Sequence, residues 1–350
     1  MTTILYGVCG EGLGHAVRSK AVIEHLLKKN KVIILASEKS YDFLSKKFDN
    51  VHLIEGLNLV YENNSLNYAK TFLNAFKNIP KSSIKNFIAI NKLIKEHKPS
   101  IIFSDFEFSV NLISKIRRIP LISIDNQHII TKSRLKLARK YSFYRALTYF
   151  IISLCIMNPK RYLITTYFYP KLKDKRKIIL FPPILRNEIL RIRPYPGKHI
   201  LVYQTSTTYE KLIPELKKVK EDFVVYGLNK DNKEDNIQFR EFDEKQFFKD
   251  LASCRAVITN GGFTLIGEAL QLNKPVLSIP VRKQIEQTIN AIYLQRLGYG
   301  EFHDDIDKEI VENFLKKAPV YRRRLVNYKK NDNSKILKEI DKLVGRYTKR

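Results

Sequence analysis

Short apolar runs alternate with longer amphipathic stretches through the first half of the chain. The strand candidates are "TILYGV", "KVIILA", "VHLI", "SIIFSD", "PLISID" and "YLITTY". Each is a nearly continuous apolar run, as expected of a strand buried on both faces. Helical patterns lie between most of them, and such β-α alternation predicts a parallel, doubly wound sheet. Around residues 182 to 198 the pattern breaks at "PPILRNEILRIRPYPGK", where prolines and a glycine among charges predict a linker. Alternation then restarts with "HILVYQTST", "FVVYGL", "IQFREF", "AVITNGG" and "KPVLSIP". The expected organisation is an α/β domain over 1–183, a linker over 184–198, a second α/β domain over 199–333 and a basic helical tail over 334–350. No period of roughly 20 to 50 residues repeats, so a solenoid is excluded. Two such domains are expected to leave a cleft between them, a common place for substrates.

In a doubly wound sheet, ligands lie beyond the carboxyl ends of the strands. The loops to read are therefore "GEGLGH", "SEKS", "SDFEFS" and "DNQH". In the first, Gly10, Gly12 and Gly14 follow a strand and precede a helix, and Glu38 ends the next strand, a partial match to a dinucleotide-binding loop. The spacing is G-x-G-x-G-H, however, with the third glycine one place early and an imidazole after it. The better reading is a glycine-rich turn that brings backbone close to a ligand and projects His15 from the helix start. Histidine is suited to take a proton from a hydroxyl near neutral pH. Such a base needs an orienting acid; Asp105 ends another strand of the same sheet, with Glu107 as the competing choice. The tripeptide "DFE" is a weak metal signal, and no metal site is expected. Asn126, Gln127 and His128 follow the next strand. They are suited either to acceptor hydroxyls or to bonding loop backbone.

The second half carries the most specific stretch, "AVITNGGFTLIGEALQLNKPVLSIPVRKQIEQTINA". Asn260, Gly261 and Gly262 turn from a strand into a helix, whose bare N–H groups suit a diphosphate. Glu268 lies about two turns into that helix, where a carboxylate can accept from a ribose diol. Glu286 and Gln287 follow the next strand and are placed to hold sugar hydroxyls.

In this stretch, and in "GEGLGH", the chain resembles the GT-B nucleotide-sugar glycosyltransferases, especially the family-28, MurG-like branch. The order "NGGFTLIGE", "NKP", "LSIP", "EQTINA" carries the likeness over about 36 residues, and the two-domain layout over nearly the whole chain. The plant small-molecule glucosyltransferases are similar in the same order, more faintly. The resemblance implies a fold of two Rossmann-like domains with parallel sheets facing across a cleft. It implies His15 as general base and Asp105 as its supporting acid, with Gly12 and Gly14 in the acceptor-side loop. Gly261, Gly262, Phe263 and Thr264 match the diphosphate-binding helix start, Glu268 the ribose contact, and Glu286 and Gln287 the donor-sugar contacts. Thr205 and Ser206 fall where the family has a Gly/Ser loop beside the phosphates, although glycine is missing. Phe242 falls where the nucleobase is packed.

These roles describe an inverting transfer of a hexose or N-acetylhexosamine from a nucleotide diphosphate sugar, UDP-linked by preference, to an acceptor hydroxyl. The nucleotide sugar is a co-substrate, and no further cofactor is expected. A nucleotide-sugar 2-epimerase of the same fold and a non-catalytic nucleotide-sugar or polyanion binder are the alternatives.

Charge and composition sharpen the choice of partner. Lys and Arg total 63 against 35 Asp and Glu, a formal charge of +28, so polyanions are attracted unless the lysines are a bias spread over solvated faces. No nucleic-acid module is matched, and no nucleic-acid partner is expected. "KSRLKLARKYSFYRALTYFIISLCIM", Lys132 to Met157, sets a basic run beside an apolar, aromatic segment. It reads either as a helix lying in an anionic membrane surface or as a core helix with a basic face. In the first case the acceptor is expected to be lipid-linked or to reach the enzyme at the membrane. Three scattered cysteines and a start without the pattern of a secretory leader fit a cytoplasmic enzyme, peripheral on the membrane's inner face if the segment binds it.

Overall fold

The computed structural model describes residues 1–56, 59–204 and 208–348. The chain forms two compact units. The first comprises Met1–Val60, Tyr68–Arg186 and the segment from Asp332, and the second Tyr61–Asn67 with Asn187–Asn331.

In chain order the strands begin with β1 (Thr2–Val8), β2 (Asn30–Ala36) and β3 (Val51–Leu53). A two-stranded ribbon follows, β4 (Tyr61–Glu62) and β5 (Ser65–Leu66), and then β6 (Ile101–Asp105), β7 (Leu121–Asp125), β8 (Arg161–Thr165) and β9 (Ile178–Phe181). The first unit's sheet is parallel, in the order β3-β2-β1-β6-β7-β8-β9. Strands β6 and β7 are buried along their whole length, which is why "IIFSD" and "LISID" show no polar alternation. Alternate residues of β1 serve two cores. Ile4, Tyr6 and Val8 pack with the helix Leu13–Leu27, and Leu5 with Ile90, Val110 and Ile113 on the other face.

The strand order reverses direction between β1 and β6, a topological switch point where loops diverge and leave a crevice. Val8 pairs with Asp105 there, and the Cys9 N–H donates to the Asp105 carbonyl at 3.0 Å. The glycine-rich loop and Asp105 therefore start side by side.

The second unit's sheet consists of β10 (Ile200–Tyr203), β11 (Phe223–Tyr226), β12 (Lys233–Glu234), β13 (Ile237–Arg240), β14 (Val257–Thr259), β15 (Val276–Ser278) and β16 (Gly300–Phe302). Its order is β12-β13-β11-β10-β14-β15-β16, parallel except for the β12 edge. Its switch point lies between β10 and β14, where Gln204 and Asn260 begin their loops.

The boundaries differ from the sequence expectation in three places. The basic helical segment expected from residue 334 is a helix, but it is packed rather than a free tail. The helix Ser334–Thr348 buries Ile336, Ile340, Leu343 and Val344 in the first unit's core. The expected linker is packed: Ile184, Leu185, Arg186 and Ile189 are buried, and the units divide at Arg186 and Asn187. The ribbon, which no sequence pattern marked, joins the second unit through Leu66 N–H to the Arg282 carbonyl (3.0 Å) and Arg282 N–H to the Asn64 carbonyl (2.9 Å).

Candidate active site

In the first unit, two glycines shape the loop after β1. Gly12 caps the helix Leu13–Leu27 with φ 78, a left-handed conformation that glycine adopts without strain. A Cβ at Gly10 would lie 2.6 Å from the Ser37 carbonyl, so only glycine lets β1's loop pass that close to β2's. Gly14 and His15 follow in the helix's first turn.

His15 Nδ1 lies 2.7 Å from Asp105 Oδ1. Asp105 is wholly buried. Burial alone would raise its pKa, but the Arg18 guanidinium and His15 outweigh that and hold it down at about 2. An ionised carboxylate only accepts, so the proton between the two groups belongs to His15 Nδ1. The far side of the ring agrees. Gln127 Nε2, an amide donor, faces His15 Nε2 at 3.2 Å, consistent with a bare Nε2. The Nε2 lone pair thus points to the Asn126–Gln127 loop.

Asp105 accepts further bonds from Arg18 Nε (2.6 Å) and Ser19 Oγ (2.9 Å), both at Oδ2, and from Arg18 Nη2 at Oδ1. Arg18 Nη1 donates to Asn126 Oδ1 at 2.6 Å. Phe106, next to the acid, holds φ 54. A left-handed conformation costs a non-glycine residue about 1–2 kcal/mol, and here it accompanies a ring stacked 6.5 Å from His15. The Asn126–Gln127 loop, Asp105 and His15 are therefore brought together.

Glu107 and His128 are placed otherwise. Glu107 accepts from the Ser109 and Val110 N–H groups and caps the helix Phe108–Ile116, so it is not the supporting acid. The expectation that His128 faces the acceptor is corrected. The short helix His128–Lys132 turns it inward, where Nδ1 lies 2.7 Å from Asp125 Oδ2 and the ring 4.7 Å from Tyr162. Burial of Asp125 acts to raise its pKa, but His128 and Ser123 bring it below the usual carboxylate range.

In the second unit, Gly261 holds φ 90, and a Cβ there would come within 2.9 Å of the Gln287 carbonyl. Asn290 Nδ2 donates to the Gly261 carbonyl at 3.1 Å. Asn260 Nδ2 donates to Gln204 Oε1 at 2.5 Å and joins the two loops of the switch point. Gly262 caps the helix Phe263–Gln271 with no side-chain cap, and an added Cβ would meet nothing within 4 Å. There is therefore room beside the start of that helix, as an anion bound at a helix N-terminus needs. Phe263 is buried and Thr264 half-buried in the first turn, and Glu268 is buried further along.

Glu286 and Gln287 begin the helix Ile285–Arg296. Gln287 Oε1 accepts from the Val281 N–H at 2.9 Å, so its oxygen already holds the preceding loop. Phe242 is partly exposed beyond β13, tilted against Phe247 at 5.5 Å. Thr205 and Ser206 lie outside the described residues. The sequence reading missed Arg18 and Ser19. Their spacing, three and four residues after His15, is the signal that places them on the same helix face.

The arrangement fits the comparisons with known proteins. A family model described as glycosyl transferase family 1 matches residues 2–319. A Methanosarcina mazei protein named as an uncharacterized glycosyltransferase is 26% identical over 326 residues, covering 85% of this chain and 84% of the relative. The UDP-N-acetylglucosamine--N-acetylmuramyl-(pentapeptide) pyrophosphoryl-undecaprenol N-acetylglucosamine transferase of Clostridium botulinum strain Kyoto is 25% identical over 311 residues, covering 80% and 81%. Among solved structures, the kitacinnamycin glycotransferase superposes with a TM-score of 0.67 at 15% identity over 99% of this chain and 98% of that one. Acinetobacter baumannii MurG superposes with a TM-score of 0.60 at 15% identity over 99% and 100%.

Proposed function

Because the chain belongs to glycosyl transferase family 1, we propose that it moves a hexose or N-acetylhexosamine from a UDP-linked donor to an acceptor hydroxyl with inversion, His15 serving as general base. The chain is a nucleotide-sugar glycosyltransferase with the two parallel-sheet units of the GT-B fold. The observation that carries the finer reading is the buried Asp105–His15 pair at a switch point, with Nδ1 protonated and Nε2 turned toward the acceptor-side loop.

The acceptor hydroxyl displaces the Gln127 amide from Nε2 and gives its proton to that nitrogen as its oxygen attacks the anomeric carbon. Asp105 stabilises the imidazolium so formed. The bond from the anomeric carbon to the diphosphate oxygen breaks, and the electron pair leaves with the diphosphate. The helix start after Gly262 receives that growing negative charge. Glu268 holds the ribose diol, and Glu286 with the Gln287 amide holds the sugar.

A lipid-linked acceptor is supported by the helix Ser142–Cys155. Among its residues only Ile152 and Cys155 are buried, while Phe143 is 72% exposed, Phe150 58% and Leu154 50%. These residues recur at helical spacing and form one apolar stripe. Arg134, Lys136, Arg139 and Lys140 lie exposed just before it. No helix among the described residues is long and apolar enough to cross a membrane, so the stripe suits a helix lying in the membrane surface. A core-helix reading does not explain these exposures.

The test is a thermal-shift screen against UDP, GDP, ADP, NAD and their sugar conjugates, repeated with Glu268→Ala. Ligand at about 100 times its Kd stabilises by about 2.7 kcal/mol. UDP or a UDP-sugar should raise the Tm by several degrees, and Glu268→Ala should abolish the rise. A shift with NAD alone, or isomerisation of the donor without acceptor, overturns the transferase reading.

A further inference from the structure

Arg18 lies one helical turn after His15, is buried, and reaches the ends of two neighbouring strands at once. Its Nε and Nη2 grip the two oxygens of Asp105 at the end of β6, and its Nη1 holds Asn126 beyond β7. Nη2 also lies 3.5 Å from Gln127 Oε1. The guanidinium is planar and rigid, so two oxygens of one carboxylate fix the direction of its third nitrogen. We propose that Arg18 is a positioning residue for the transfer: it holds Asp105 and the Asn126–Gln127 loop in the one arrangement that keeps the His15 proton on Nδ1 and turns bare Nε2 to the acceptor. The importance of this role rests on His15 being the base; the placement of the proton does not.

The hydrogen-bond inventory supports the assignment. Arg18 Nη2 and His15 Nδ1 lie 2.8 Å apart, and both approach Asp105 Oδ1. Arg18 is a donor only, and Asp105 Oδ1 lies within bonding reach of both nitrogens, so it can accept from each. The grip on Asp105 is thus what makes Nδ1–H the stable tautomer. On the opposite side, Gln127 can turn either its oxygen or its amide toward Nε2. The oxygen accepts from the Asn126 N–H at 3.3 Å with Arg18 Nη2 beside it at 3.5 Å, and the amide is left for the ring.

Charge gives a second support. Asp105 is negative and Arg18 positive, and the guanidinium lies directly on the buried carboxylate. The other titratable groups around Asp105 are Tyr6, Cys9 and Glu107. Burial pushes the Tyr6 phenol and the Cys9 thiol up, so neither supplies a counter-charge, and Glu107 caps its own helix. Without Arg18, a wholly buried carboxylate would have only His15 from which to draw a positive charge.

The experiment uses the full chain with 15N-labelled histidine rings. The His15 signals are identified by their loss in His15→Gln, and long-range 1H–15N spectra at pH 7.5 report the tautomer. The native protein should show neutral His15 with its proton on Nδ1. Arg18→Gln should show a doubly protonated ring or a mixture of tautomers. Arg18→Lys keeps the buried positive charge, and hence the fold, but loses the fork; it should show mixed tautomers. Native-like His15 in folded Arg18→Lys overturns the inference even if Arg18→Gln fails to fold. The base reading is tested separately, by UDP release from UDP-N-acetylglucosamine. His15→Ala at native rate removes that reading and leaves the tautomer result standing.

Discussion

Asp105 stays ionised without any contact with solvent because Arg18 and His15 more than offset the cost of burying its charge. Its folded pKa, about 2, lies below the unfolded value of 3.8. A depressed carboxylate stabilises the fold above its unfolded pKa and loses that contribution as pH falls through the folded one. The difference corresponds to on the order of 2 kcal/mol. Glu107, pushed up by burial, acts in the opposite sense. Urea unfolding between pH 5 and 2 (a window of roughly the two pKa values) should therefore show a steeper acid loss in the native protein than in Asp105→Asn. Equal slopes would mean that Asp105 is not held ionised. At this scale His15 and Asp105 were legible, because each follows a buried strand and strand ends of one parallel sheet gather at one edge. Arg18 was not. In "HAVRSK" the spacing puts the arginine on the His15 face, but does not show which groups it meets until β6 and β7 are known to stand beside β1. His128 misled because its neighbours Asn126 and Gln127 do face the site, while a single helical turn carries it into the core.

The helix Ser142–Cys155 poses its question at the scale of the element. Its composition left two readings open, and only the tertiary context shows that its aromatic side chains are not covered by the unit they belong to. Neighbouring exposures on the helix Tyr68–His97, at Leu73, Ile84 and Ile88, enlarge the uncovered apolar surface of the first unit. Tyr68, at that helix's start, stacks on Tyr144 at 5.8 Å. Apolar burial in lipid contributes about 25 cal/mol per Å2, and each nearby Lys or Arg about 1 kcal/mol at an anionic surface. Sedimentation with vesicles should therefore show binding to mixed phosphatidylcholine and phosphatidylserine, weak binding to phosphatidylcholine alone, and a marked fall for Phe143→Ser with Phe150→Ser. Unchanged binding by that pair would remove the stripe from the interface. The strands were legible as elements because they are continuously apolar. The ribbon at 61–67 was not, since "YENNSLN" carries no period and its pairing partner, Arg282, lies more than 200 residues away.

For the whole molecule, the chain's final segment shows how far charge can mislead about structure. "SKILKEIDKLVGRYTKR" is rich in lysine and reads as a basic helical tail, consistent with a formal charge of +28. Its apolar residues nevertheless recur as Ile336, Ile340, Leu343 and Val344, and that face packs with β1 and the His15 helix in the first unit. Asn333 fixes the entry. Its side chain accepts from the Leu185 N–H at 3.0 Å and donates to the Leu185 carbonyl at 2.7 Å. Burying a large aliphatic side chain contributes about 1.5–3 kcal/mol, so four together contribute roughly 6–12 kcal/mol. That is comparable to the whole stability of a typical domain, about 5–15 kcal/mol. A chain ending at residue 331 should therefore lose the first unit's cooperative melting, and Ile340→Asp should lower the Tm steeply. Replacing the exposed Lys342 by Glu should change stability by no more than about 0.5 kcal/mol. Because the second unit includes none of these residues, UDP should still shift whatever transition the truncated chain retains. If truncation left both transitions in place, the helix would be a tail after all, and the core that supports His15 would have to be complete without it.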